Sequence, residues 1–345
     1  LQIHLTEVIV LHIYSGRKRP GCMSELGPLL NGLGGLTIHV LPIDIMSENA
    51  AHDLLNPKMC ALFLDAIFSG KIKGLIAGPP CETWSAVRER AIKGVDIGVL
   101  RSRKLPWGVS GLRPKKLDQL FVASELLLTA LTLATALAAV GGAVCLEHPA
   151  EPFADHSCSI WRLPIVRRLL QIPCAHKERI LQGPLGQRSP KPTDLLAIRL
   201  PHLQACFKAM SIPGRRPPPA PIFQDNGDFG TAPLKEYPPR MSAALLLSFW
   251  TSIKSPHDYH HEFSEAVRIL SSRCDDIDNG TSCGATPRTP LELPHPDLRF
   301  LAVWPSDDLK IGPDFNAKVI ADADKLNFTS SRYEAVKLLQ KFLER

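Results

Sequence analysis

Two side chains with the capacity for chemistry stand at the ends of apolar runs. Cys81 lies in LIAGPPCETWS (75–85), where such a run closes on Gly78, Pro79 and Pro80 before the chain turns polar. The prolines stiffen the approach to the cysteine. ETWSAVRERAI (82–92) reads as the start of a helix. A thiol at a helix N-terminus, with Arg88 and Arg90 close by, is expected to ionise readily, and the thiolate is the nucleophilic form. The plainer alternative is a buried structural cysteine, the usual fate of a lone one. Glu147 ends the next run, GAVCLEHP (142–149). Among apolar neighbours its carboxyl is expected to keep a proton toward neutrality. A thiolate and a carboxylic acid flanking one pocket suit a particular reaction. Sulfur adds to an electron-poor ring while the acid protonates a ring nitrogen. A thiol hydrolase would need a histidine paired with Cys81, and nothing singles out His148 for that role.

The elements that must hold these residues alternate strand and helix. EVIVLHIYSG (7–16), LTIHVLPIDI (36–45), KIKGLIAGPP (71–80) and GAVCLEHP read as strands buried on both faces. Helical stretches at 59–70 and 117–140 separate the later ones. The pattern predicts an α/β fold with a doubly wound, mostly parallel, Rossmann-like sheet. Ligands of such sheets bind at the carboxyl ends of the strands. Gly16, Asp44, Cys81 and Glu147 all fall at those ends. The run at 123–140 approaches membrane-spanning length, but Glu125 and repeated threonines interrupt it and a new strand follows. A buried helix is expected, with no membrane partner.

Residues 1–194 are therefore expected to form the catalytic domain. The stretch 195–236 reads as a short Pro/Gly-rich insert, and 237–254 as a helix returning to the domain. A linker is expected at 255–290, then a small α/β extension at 291–345. The extension has a strand at LRFLAVWP and a last helix with a capping box, Ser331 with Glu334.

The 345 residues carry a formal charge of +6 and 45% hydrophobic residues, enough for a substantial core. Charge is concentrated at 86–116, where nine Lys/Arg face two acidic residues, a net +7. Arg88, Arg90, Arg101, Arg103, Lys104, Lys115 and Lys116 are thus candidates for contacts with a polyanion. Nine scattered cysteines without a CxxC pair point to a reducing compartment, nucleus or cytoplasm. The start at Leu1 suggests a piece of a longer chain. HSC (156–158) and CAH (174–176) lack the spacing of common zinc sites, so no metal is expected.

Taken in order, IYSGRKRPG, Asp44, GPPCETWS, LEHPA and GPLGQRSPKPT resemble the motifs of the cytosine-5 DNA methyltransferase family. GPPCETWS, LEHPAEP, SIWRLP and SPKPT resemble in particular the divergent methyltransferase domains that retroelements carry in some algae. The resemblance covers about residues 7–250 and implies S-adenosylmethionine as cofactor and DNA as substrate, with RNA sharing the same chemistry. It implies a cofactor loop at Tyr14, Ser15 and Gly16, with Pro79 beside it. Asp44 would hold the ribose hydroxyls and Asp53 would lie near the adenine. By the same resemblance Cys81 attacks carbon 6 of a flipped-out cytosine, Glu147 acts at N3, and Arg188 in the GQR segment helps hold the base. Departures from the motifs are Arg17-Lys18-Arg19-Pro20 in the glycine loop, His148 after the glutamate, and a short recognition region.

Overall fold

The four apolar runs form four neighbouring strands of one sheet. The computed structural model describes residues 6–47, 52–89, 98–220, 232–253 and 259–280. Strands β1 (Thr6–Ile13), β2 (Leu36–Ile43), β3 (Ile72–Ala77) and β4 (Ala143–Pro149) are mutually parallel where they pair. Two further strands, β5 (Ala175–Leu181) and β6 (Pro192–Ile198), complete the order β2-β1-β3-β4-β6-β5, with β6 antiparallel to both neighbours. The mixed sheet is thus compatible with the Rossmann-like α/β expectation.

Helices cover both faces. On one, α2 (Pro57–Phe68), α3 (Pro114–Ala139) and α4 (Pro164–Leu169) bury Phe63, Leu131 and Leu169 against Leu11, Leu75 and Leu146. On the other lie α1 (Met23–Leu26), α5 (Leu203–Met210), α6 (Pro239–Ile253) and α7 (Tyr259–Asp278). Their Met23, Phe207, Phe249 and Leu270 pack on Val10, Ile76 and Cys145. Each fully buried side chain of this size contributes about 1.5–3 kcal/mol. The approach of α6 is close enough to dictate composition: a Cβ at Gly74 of β3 would lie 2.6 Å from Phe249 Cδ1.

Two expectations are corrected. A boundary at 194 would cut through β6, and α5 belongs to the second core, so the insert begins later than 195. Among the described residues its irregular part is 211–220. The expected linker at 255–290 contains α7, which is no connector. Phe263, Ala266, Val267, Leu270 and Cys274 recur at helical spacing and pack into the second core, and Arg273 Nε binds Glu25 Oε1 at 2.9 Å. Helix α3 passes the length and composition test for a membrane span, yet 67% of its most apolar window is buried within the protein. Its Thr135 hydroxyl donates to Leu131 O at 2.7 Å, so a core threonine is satisfied within the helix. The extension at 291–345, with Ser331 and Glu334, lies outside the described residues.

Candidate active site

The chain turns from β2 on one side of β1 to β3 on the other, which opens a crevice at the carboxyl ends of β1 and β3. The loops leaving these strands are Tyr14–Gly16 and Gly78–Cys81. Glu147 projects from the end of neighbouring β4, where it is 7% exposed.

Around Glu147 the packing is tight. The Tyr237 hydroxyl donates to its Oε2 at 3.3 Å, while Lys191 Nζ stands 3.8 Å from Oε1. Oε1 is buried without a hydrogen bond. Tyr237 reaches this position only because residue 78 is glycine: a Cβ there would lie 2.5 Å from the Tyr237 hydroxyl and 3.2 Å from Glu147 Oε2. The Tyr237 ring stacks on His12 of β1, centroids 5.9 Å apart and planes 11° apart. Burial, then the charge of Arg19, pushes His12 down to about 4, so it is neutral near pH 7. Burial, then the Glu147 charge, holds the Tyr237 phenol well above its ordinary value.

Cys81 is half-buried beside this group and feels its charges. Residues 82–89, directly after it, form no α-helix. A turn with Trp84 N bonded to Cys81 O at 3.0 Å leads instead to one 3₁₀ turn, Ala86–Glu89. The expected easily ionised thiol is therefore corrected. Burial, then the carboxylates of Glu147 and Glu82, pushes Cys81 up to about 11 against the opposing charges of Lys191 and Lys235. Lys235 is itself paired to Glu82 Oε1 at 2.7 Å.

On the β1 side, Asp44 Oδ2 accepts from Gly16 N at 2.8 Å and Oδ1 from Met46 N at 2.8 Å, so its carboxylate fastens the loop. A carboxylate has about four acceptor positions, so these bonds are compatible with further donors. Tyr14 adopts φ 60° and donates its hydroxyl to Leu126 O of α3 at 2.5 Å. Ser15 Oγ donates to Gly16 O at 3.4 Å, and Pro79 is buried. Asp53 Oδ1 accepts from Leu55 N at 2.9 Å, a local turn leading into α2. Of the loop cations, Arg17 and Lys18 are exposed. Arg19 is drawn aside: its Nη2 donates to Tyr237 O at 3.1 Å and its Nε lies 3.3 Å from Glu236 Oε2.

Arg188 has an exposed side chain, whereas Gln187 is buried and donates from Nε2 to Glu236 O at 3.2 Å. The cation that faces Glu147 is Lys191, three residues further on, at φ 33°. A lysine in that region is strained, and strain of this kind concentrates at functional sites. Its flanking prolines, SPKPT, were the available signal.

The basic segment divides. Arg101 is corrected from a surface contact to a core residue, 2% exposed. Its Cζ lies 3.8 Å from the Trp84 ring centroid, and it donates to Thr83 Oγ1 at 3.1 Å, Pro106 O at 2.7 Å and Ser124 Oγ at 2.9 Å. It thereby ties the chain just after Cys81 to α3. Arg88 is half-buried and bonded to Glu82 O, and Arg103 is exposed but paired with Asp155 at 2.7 Å. Lys104 and Lys115 are exposed and Lys116 is half-buried. Arg90 lies outside the described residues.

His148 points to the opposite sheet face from Glu147, as adjacent strand residues must. It meets Trp84 and Trp161 edge-on at 6.5 Å each, and burial pushes it down to about 3. It is not placed to serve Cys81 as a base. Among the described residues, no three His, Cys, Asp or Glu side chains could hold a metal ion.

In comparisons with known proteins, the chain matches no family model, no curated protein and no solved structure.

Proposed function

We propose that this domain is an S-adenosylmethionine-dependent methyltransferase acting on carbon 5 of cytosine in DNA. The observation that carries the reading is the joint position of Cys81 and Glu147 at neighbouring strand ends, beside the switch-point crevice. The motif resemblance, which these geometries did not enter, supports the same reaction.

In this reading the target base is turned out of its stack to reach Cys81. The Cys81 thiol gives its proton to water, and the thiolate sulfur adds to carbon 6 as Glu147 gives a proton or hydrogen bond to N3, which relieves the charge pushed into the ring. Lys191 supports the developing thiolate and balances the Glu147 carboxylate once its proton has moved. Bound S-adenosylmethionine supplies the electrophilic methyl group for carbon 5. Water takes the carbon 5 proton, the ring double bond re-forms with expulsion of the Cys81 sulfur, and a proton given to N3 returns to Glu147. The loop at Tyr14–Gly16, braced by Asp44, fits a cofactor with hydroxyl groups, because the acidic side chain stands at the strand end and the Arg19 guanidinium is engaged elsewhere. Lys104 and Lys115 are exposed and can meet phosphates.

One observation favours a second reading, a nucleic-acid-binding relic without catalysis: the Cys81 thiol is held at about 11 in the free protein. Transfer of labelled methyl groups from S-adenosylmethionine to duplex DNA and, separately, to folded RNA tests both readings. Labelled 5-methylcytosine in digested DNA, absent with Cys81→Ser, supports the first. Label in RNA alone changes the substrate class. DNA binding without any transfer, and no calorimetric heat with the cofactor, supports the relic.

A further inference from the structure

We propose that Tyr237 is a positioning residue that fixes the rotation of the Glu147 carboxyl, so that Oε1 is the oxygen left to act on the substrate, and that Arg19 latches Tyr237 to the loop after β1. The inference rests on the methyltransferase reading above.

The two oxygens of Glu147 have different surroundings. Oε2 accepts the Tyr237 hydroxyl at 3.3 Å, whereas Oε1 is buried with no hydrogen bond and only the Lys191 ammonium 3.8 Å away. The Tyr237 hydroxyl can donate to Oε2 or accept from it, so it holds that oxygen in place in either state. Oε1 is then the oxygen left to meet a ligand. Without the Tyr237 hydroxyl the carboxyl loses this fixed rotation.

Tyr237 has little freedom of its own. It is 9% exposed, stacked on His12 and seated against the bare backbone of Gly78. Its carbonyl is held by Arg19 Nη2 at 3.1 Å, and Arg19 Nε holds the adjoining Glu236 at 3.3 Å. Arg19 belongs to the loop that follows Gly16, whose N–H is fastened to Asp44. A continuous path of contacts thus runs from the crevice loop through Arg19 and Tyr237 to Glu147. The arginine that departs from a glycine-loop pattern acquires a task by this path.

The test compares wild-type protein with Tyr237→Phe, Glu147→Gln and the double variant, in single-turnover methylation of duplex DNA. Tyr237→Phe keeps the ring and its stack and removes only the hydroxyl. The expected result is a rate about tenfold lower, the cost of one hydrogen bond to a charged or strongly polar group, with KM for DNA and cofactor affinity unchanged. In the Glu147→Gln background the same change should cost less than twofold, because Tyr237 acts through Glu147. Arg19→Met, which lies outside the pocket, should lower the rate in the same direction. Equal losses in both backgrounds, or a matching fall in melting temperature, would make Tyr237 merely structural and overturn the inference. So would a full rate in Tyr237→Phe. If wild-type protein transfers no methyl group, the methyltransferase reading falls and takes this inference with it.

Discussion

The resting state of Cys81 offers a quantitative test that needs neither DNA nor cofactor. Held at about 11 rather than the ordinary 9.0, the thiol has about a hundredfold smaller thiolate fraction near neutrality. At about pH 7.5 roughly one molecule in 3,000 carries the thiolate. A less acidic thiol is intrinsically more nucleophilic, by roughly tenfold over two units, so the net rate of exchange with a small disulfide should fall about tenfold. The assay follows mixed-disulfide formation on the Cys81 peptide by mass spectrometry as pH is raised. Reaction should keep accelerating beyond pH 9, toward a midpoint near 11. Glu147→Gln removes a negative neighbour and should move the midpoint down. Lys191→Met removes a positive one and should move it up. A wild-type midpoint at or below the ordinary thiol value, or a midpoint indifferent to Glu147, would refute the placement of the carboxylate beside the sulfur.

Further expectations follow from single contacts. Gly78→Ala puts a Cβ 2.5 Å from the Tyr237 hydroxyl and should destabilise by about 1–3 kcal/mol, seen as a lower urea midpoint, with methyl transfer falling further than folding requires. Arg101→Lys breaks a buried fork of hydrogen bonds and should cost about 2–4 kcal/mol without altering the salt dependence of DNA binding. Lys104→Ala and Lys115→Ala should do the reverse, each reducing the salt slope by about one with stability intact. His12 and His148 fold with lowered values, about 4 and about 3, so their contribution is complete above the unfolded value near 6.5 and is lost as pH falls below it. Melting temperature should therefore decline between about pH 6.5 and 3, and His148→Phe should soften the decline. An acid limb unchanged by that variant would count against a neutral His148.

The parallel part of the sheet was legible because β1 to β4 are largely buried and read as apolar runs. Strand β5, AHKERIL, lies at the sheet edge with alternating exposure, and its short pattern carries no comparable signal. Helix α7 did carry one, Phe263 to Cys274 at helical spacing, but its polar face dominated the composition. Cys81 and Glu147 were legible from type and strand-end position. The electrostatics of Cys81 were not, since they depend on the burial of its loop and on Glu147 arriving from β4. Arg101 looked like its neighbours in a basic run until Trp84 and α3 closed around it. Tyr237 and Lys191 reach the site from segments 90 and 44 residues away from Glu147, by packing that no local pattern encodes.

The most direct measurement is a covalent trap. Protein is incubated with S-adenosylmethionine and duplex DNA bearing 5-fluorocytosine, then denatured. Because fluorine at carbon 5 does not leave as a proton does, a working enzyme stalls with the base joined to sulfur. The expected result is a denaturation-resistant protein–DNA adduct, mapped to the Cys81 peptide and missing in Cys81→Ser. No adduct in any sequence context, with DNA bound, or an adduct that persists in Cys81→Ser, would contradict Cys81 as the nucleophile.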